Sequence, residues 1–317
     1  MILQAGFPKS GNSLLNRILQ ISFQEQYNSG PRNLNQLFFS DDVLNGWQGS
    51  FSGHDKVNTI LFENENIHLT LSRRYFTNLS FTDFSENDLL WTHSDANRSL
   101  EKLLVTFPKA KIIYIYRNPV DVAYSMARFH FTEYRQRYFS HDKEKDVAEF
   151  YRNRSVGLSI SWCYNVTSYL KLQQSYGKDR VMLVSYEDLV SNKSNHVKEL
   201  QKFLGFELNL GQINKIIEHS DFSFMKKESP GHVQEGNIKG PKDDFNPAVT
   251  SVIKTITNDT LRVIAEVNSG KLTETEELDR LATAWKKRYG LYPLYMKTFI
   301  QSKNPIGLRI KKLLKRM

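Results

Sequence analysis

The chain has 317 residues, 40% hydrophobic and 24% charged, with a formal net charge of +9, which suits one large globular α/β domain. Seven cations and no acid lie between Lys297 and the C-terminus, so the body is only slightly basic and lacks the spread of cations that a nucleic-acid face needs. The single cysteine, Cys163, excludes an internal disulfide, and no Cys/His spacing suits a metal; a reducing, cytoplasmic setting and metal-free chemistry are expected.

The first residues, MILQAGF, form a short apolar run that predicts a buried strand, not a signal peptide, since no basic segment or long apolar core accompanies it. Pro8 to Asn12 break the run, and Leu14, Leu15, Ile18, Leu19 and Phe23 then recur at helical spacing. Residues 28–58 are rich in Asn, Ser, Gly and Asp and predict a long surface excursion. Strands are expected at Asn58–Asn64, Leu89–His93, Lys111–Arg117 and Arg180–Tyr186. Helices are expected at Asn97–Phe107, from Asn118-Pro119 onward, and at Tyr151–Tyr176, Asn195–Phe203, Gln212–His219, Pro247–Val267 and Glu274–Tyr289. Asn118 is a good N-cap, Pro119 suits the first helical position, and Asp121 suits the positive end of the helix. Residues 229–246 read as loop. No apolar run reaches the roughly 18 residues of a spanning helix.

Strands alternating with helices predict an α/β fold: a single domain with a central, mostly parallel sheet flanked by helices and a P-loop-like nucleotide-binding core. The expected division is a domain over 1–295 and a basic amphipathic tail over 296–317. Ligands of such sheets bind beyond the carboxyl ends of the strands, where Lys9, His93 and Arg117 all fall.

Gly6-Phe7-Pro8-Lys9-Ser10-Gly11-Asn12-Ser13 has the form of an anion loop. Two glycines five apart permit tight curvature, and backbone N–H groups then point at an anion ahead of a helix N-terminus. The nucleoside triphosphate version carries Lys directly after the second glycine. Here Asn12 holds that place, and the loop's lysine is Lys9. A second anion site is read at Arg117-Asn118-Pro119-Val120-Asp121, with Ser125 eight residues on. Arg offers a planar fork for phosphate, and Ser125 a hydroxyl about two turns into the capped helix.

On these residues the chain resembles the sulfotransferases that use 3'-phosphoadenosine 5'-phosphosulfate (PAPS), whose loop has the form PKSGTTW and whose second motif is roughly RNPxDxxxS. Tyr186-Glu187-Asp188-Leu189 and Ile238-Lys239-Gly240 resemble two later segments of that family. The resemblance spans about residues 1–245. It implies transfer of a sulfuryl group from PAPS to an acceptor hydroxyl or amine, with PAPS as co-substrate and no metal. Donor binding is implied for Lys9, Ser10, Gly11, Asn12, Ser13, Arg117, Ser125, Tyr186, Lys239 and Gly240. Lys9 is implied to meet the charge on the leaving phosphate, and His93 to be the base; Glu63, Glu65 and Asp95 are rival bases. Leu14 stands where many members carry Trp, and Ile238 where they carry Arg.

From Ile306 to Met317, apolar residues fall on one helical face and Arg309, Lys311, Lys312, Lys315 and Arg316 mostly on the other. This pattern suits peripheral contact with an anionic membrane surface, or a helix docked on the domain. The acceptor is expected to be a small molecule or a glycan, including a lipid-linked glycan. The alternative activities are a P-loop kinase or other nucleotide phosphotransferase, and a non-enzymatic membrane-surface protein on the same fold.

Overall fold

The computed structural model describes residues 1–47, 57–63, 66–71, 75–132, 144–228, 246–270 and 275–301. Four strands form the central sheet: β1 (Ile2–Gly6), β5 (Leu89–Thr92), β6 (Lys111–Tyr116) and β7 (Val181–Ser185). Their order is β5-β1-β6-β7 and every pairing is parallel. Ile112 to Ile115 of β6 are fully buried, as a strand covered on both faces requires. One face packs on α1 (Asn12–Tyr27): Leu14, Leu15 and Ile18 share an apolar cluster with Ile2, Ile113 and Ile115. The other face packs on α6 (Val147–Tyr176), whose Trp162, Val166 and Tyr169 meet Leu3, Ile112 and Tyr114.

Between α1 and β5 lie α2 (Leu34–Phe38), α3 (Asp41–Trp47) and a second sheet of β2 (Ile60–Phe62), β3 (Ile67–Leu71) and β4 (Tyr75–Leu79). That sheet is antiparallel, in the order β2-β3-β4, and a single parallel bridge from Thr59 to Trp91 ties it to the central sheet. After β5 come α4 (Arg98–Thr106) and, beyond β6, α5 (Pro119–His130). The helices α7 (Tyr186–Ser191), α8 (Lys193–Leu204), α9 (Leu210–His219) and α10 (Phe222–Glu228) follow β7. Then come α11 (Pro247–Asn268) and α12 (Thr275–Gln301).

Residues 28–43 are mostly exposed or half-buried, as expected of a surface excursion, but Leu34, Asn35 and Asn58 are buried; residues 48–56 lie outside the described residues. Its asparagines are structural. Asn33 caps α2 by accepting from the Asn35 N–H. Asn58 accepts from the Leu34 N–H at 2.7 Å and donates to the carbonyls of Arg32 at 2.8 Å and Leu89 at 3.0 Å. Asparagine composition predicts loop because the side chain satisfies irregular backbone; here it does so inside the core. The strand expected near Asn58 also belongs to the antiparallel sheet, whose β3 and β4 the sequence reading did not find. The other expected helices and strands agree to within a few residues, apart from α12, which runs on to Gln301; α2, α3, α7 and α10 were not expected. Residues 302–317 lie outside the described residues, as do Glu65, Ile238, Lys239 and Gly240. No helix among the described residues is long and apolar enough to cross a membrane.

Candidate active site

All four central strands run in the same direction, so their carboxyl ends share one edge. In the order β5-β1-β6-β7, the residues that follow are His93, Lys9, Arg117 and Tyr186. Their spatial order follows from the strand order alone. The polar groups are not scattered over the fold; they form a row across its top.

The loop after β1 turns sharply. Lys9 has φ 69° and Gly11 φ 97°. The left-handed region suits Gly11 and strains Lys9. Gly11 is also the N-cap of α1, with no side-chain cap bond, so the first-turn N–H groups of a 16-residue helix face the loop. A Cβ at Gly11 would collide with the ring of Tyr186, and one at Gly6 with Asn12 and Ile115. The loop is therefore packed too closely for any side chain at either glycine.

Ser10 is fully buried, and its Oγ has no hydrogen-bond partner among the described residues. An orphaned hydroxyl inside a loop of this shape fits an anion such as the 5'-phosphate end of PAPS. The Asn12 side chain is buried and donates Nδ2 to the Phe7 carbonyl at 2.8 Å, so it braces the loop from within. Ser13 is the second residue of α1 and half-buried.

Lys9 sits with its ammonium 4.1 Å from the centre of the Phe129 ring on α5, and no carboxylate pairs with it among the described residues. Burial, and secondly the charge of Arg117, push its pKa from 10.5 down to about 8. Arg117 is thus close enough to repel it. The Arg117 guanidinium lies 4.4 Å from the Tyr186 ring centre. Tyr186 is buried, touches the Gly11 position and supports Arg117, so it joins the two anion motifs through one ring. Burial raises the pKa of its hydroxyl.

Arg117 stands between the end of β6 and the start of α5. Asn118 caps the helix by accepting from the Val120 N–H at 3.0 Å, and its own N–H donates to Glu187 at 2.9 Å. Asp121 in the first turn is buried, and desolvation raises its pKa while Arg117 opposes the shift. Ser125 follows two turns along α5, half-buried.

His93 is held at the loop's base. Its Nδ1 lies 2.6 Å from the Gly6 carbonyl. A carbonyl only accepts, so Nδ1 carries the hydrogen and Nε2 is the basic nitrogen of the neutral ring. The His93 backbone is fixed from α6: Asn165 donates to its carbonyl at 3.4 Å, and Tyr169 donates to the Ser94 carbonyl at 2.9 Å. Asn165 is in turn held by the Tyr114 hydroxyl at 2.7 Å. The sequence reading missed Phe129, Asn165 and Tyr169. Asn165 carried a signal, a polar residue amid the buried spacing of a long helix.

Two of the rival carboxylates, Glu63 and Asp95, have partners of their own. Glu63 is exposed and 3.7 Å from His68 on the antiparallel sheet. Asp95 accepts from the Tyr164 hydroxyl at 3.2 Å, and burial raises its pKa. Among the described residues no group of three or more His, Cys, Asp or Glu is placed to hold a metal ion.

Residues 1–261 match the family model described as "Sulfotransferase domain". Sulfotransferase 6B1 of Pan troglodytes is 34% identical over 127 residues, which are 38% of this chain and 38% of that protein. The 3-beta-hydroxysteroid sulfotransferase of Cavia porcellus is 30% identical over 121 residues, 38% of this chain and 39% of that protein. The chain thus spans under two fifths of the length of the curated relatives it matches. Among solved structures, mouse sulfotransferase SULT7A1 complexed with PAP is 18% identical at a TM-score of 0.51, covering 82% of this chain and 84% of that one. Retinol dehydratase in a complex with retinol and PAP is 14% identical at a TM-score of 0.51, covering 82% and 80%. These two likenesses establish the fold.

Proposed function

The chain belongs to the sulfotransferase domain family, and from that premise we propose that it transfers a sulfuryl group from PAPS to an acceptor hydroxyl or amine. The observation that carries the reading is the placement of Lys9 and Arg117 beyond the carboxyl ends of the adjacent strands β1 and β6. Burial first, and the charge of Arg117 second, lower Lys9 to about 8, a cost that a bound polyanion relieves. The orphaned Ser10 hydroxyl and the open end of α1 beside them support the same ligand.

In this reading the hydroxyls of Ser10 and Ser13 and the N–H groups of residues 11–13 hold the 5'-phosphate end. Arg117 and Ser125 hold the 3'-phosphate, with Lys239 and Gly240 assigned there from the sequence. When bound, PAPS supplies an activated sulfuryl group and its nucleotide departs as adenosine 3',5'-bisphosphate. Lys9 sets a positive charge where the departing phosphate becomes more negative. His93 takes the acceptor proton on Nε2 while Gly6 keeps the ring in one tautomer. Asp95 is a poorer base because Tyr164 occupies it.

The acceptor panel follows from two sources. The curated relative named for hydroxysteroids brings in small apolar alcohols, and the basic tail keeps glycans and lipid-linked glycans in view. Transfer of labelled sulfate from PAPS to such a panel is the test. His93→Ala and Lys9→Ala are expected to abolish it and Asp95→Asn to spare it. Full activity in His93→Ala with loss in Asp95→Asn moves the base to Asp95. Absence of transfer and of adenosine 3',5'-bisphosphate binding overturns the function.

A further inference from the structure

Gln4 is an unexpected residue for its place. It lies on β1, an inner strand, in register with Trp91 on one side and Ile113 on the other, and it is fully buried. Ile2 and Ile113 nearby belong to the aliphatic cluster under α1. A buried amide in such surroundings costs free energy unless it is hydrogen-bonded. Gln4 is half satisfied: Nε2 donates to the Asn12 carbonyl at 2.6 Å, while Oε1 has no partner among the described residues. A leucine of similar volume would fill the site without that cost. Packing therefore does not account for the glutamine.

What Gln4 grips is the junction between loop and helix. Asn12, whose carbonyl it holds, sends its own amide back to the Phe7 carbonyl at 2.8 Å. The two side chains form a relay from the sheet to the far end of the loop, and from there to the near end. Between those ends stands Lys9 at φ 69°. A non-glycine residue there costs about 1 kcal/mol or more and persists only where its surroundings over-determine it. The Ser10 N–H closes the tight turn over Lys9 on the Phe7 carbonyl at 3.2 Å, but the cap position supplies no side-chain bond, so the relay is what ties that turn to the start of α1 and to the sheet.

We propose that Gln4 and Asn12 are positioning residues that hold the anion loop, and Lys9 with it, in its binding shape before any ligand arrives. The identity of the ligand rests on the sulfotransferase reading. A loop ordered in advance loses less freedom on binding and so binds more tightly.

The experiment uses Gln4→Leu, Asn12→Ala and the double variant in the full chain. Amide hydrogen exchange without ligand reads the loop, and calorimetry with adenosine 3',5'-bisphosphate reads affinity. Gln4→Leu is expected to speed exchange in residues 7–13 about tenfold while β6 is unchanged, and to weaken bisphosphate binding about tenfold, with the melting temperature held or raised. The double variant is expected to be no weaker than Asn12→Ala, because the two amides act in series. Unchanged loop exchange in Gln4→Leu overturns the relay, and so does fully additive loss in the double variant. Faster exchange with wild-type affinity overturns the positioning role and leaves the sulfotransferase reading intact. A wild-type protein that does not bind the bisphosphate overturns that reading, and the positioning role with it.

Discussion

The two halves of the row at the sheet's edge are built by different means. After β1 and β6, short loops run straight into helices, and most of the work falls to backbone N–H groups, two tight glycines and three side chains, Lys9, Arg117 and Tyr186. Around β5 the chain makes a long detour through α2, α3 and an antiparallel sheet, and it is pinned by buried asparagines and tyrosines from distant segments. The first half rests mainly on residues close together in the chain, with Tyr186 and Phe129 packed on it from elsewhere. The second rests on long-range side-chain bonds and meets the first where His93 bonds the Gly6 carbonyl. On the proposed function, donor binding falls to the first part and acceptor choice to the second.

Substitutions can break that separation, beginning with the largest effects. Lys9→Ala and His93→Ala are each expected to lower kcat about a thousandfold, one from each half; rapid-quench measurement at saturating donor checks this. Arg117→Ala is expected to weaken bisphosphate binding about 10- to 100-fold, the worth of a charged hydrogen-bond pair, with kcat at saturation nearly kept; titration calorimetry reads it. The pH dependence is smaller. Lys9 has a pKa lowered to about 8, so its ammonium is charged below that value and lost above it. Bisphosphate affinity is expected to fall up to about tenfold between pH 7 and 9, and Lys9→Met should abolish that slope. The same shift is a folding cost present below pH 8 and relieved as pH rises from about 8 toward 10.5. Lys9→Met is therefore also expected to raise the melting temperature at pH 7. The smallest effect at the donor site is expected from Asn58→Ala. It removes three hydrogen bonds and should destabilise the fold by about 1–3 kcal/mol, read by denaturant unfolding, with bisphosphate affinity unchanged. A matching loss of affinity would show that the halves are coupled.

The same division explains what the sequence disclosed. The loop from Gly6 to Ser13 and the capped start of α5 are contiguous, and each residue's task follows from its neighbours in the chain. Lys9 and Arg117 could thus be placed at the sheet's edge in advance. The bracing role of Asn12 could not be read, because it depends on which way its side-chain amide turns, here back to the Phe7 carbonyl. Around β5 the asparagines at 33, 35 and 58 suggested loop, since composition does not reveal whether such a side chain faces water or a buried carbonyl. Phe129 under Lys9 and Asn165 behind His93 act through contacts 120 and 72 positions away along the chain, which no local pattern encodes.

A crystal structure with adenosine 3',5'-bisphosphate tests the central claim most directly. The account predicts the 5'-phosphate against Ser10 and the N–H groups that open α1, the 3'-phosphate on Arg117, and Lys9 moved from Phe129 toward the 5'-phosphate. A nucleotide bound away from that edge, or one that leaves both cations where they stand now, would contradict it.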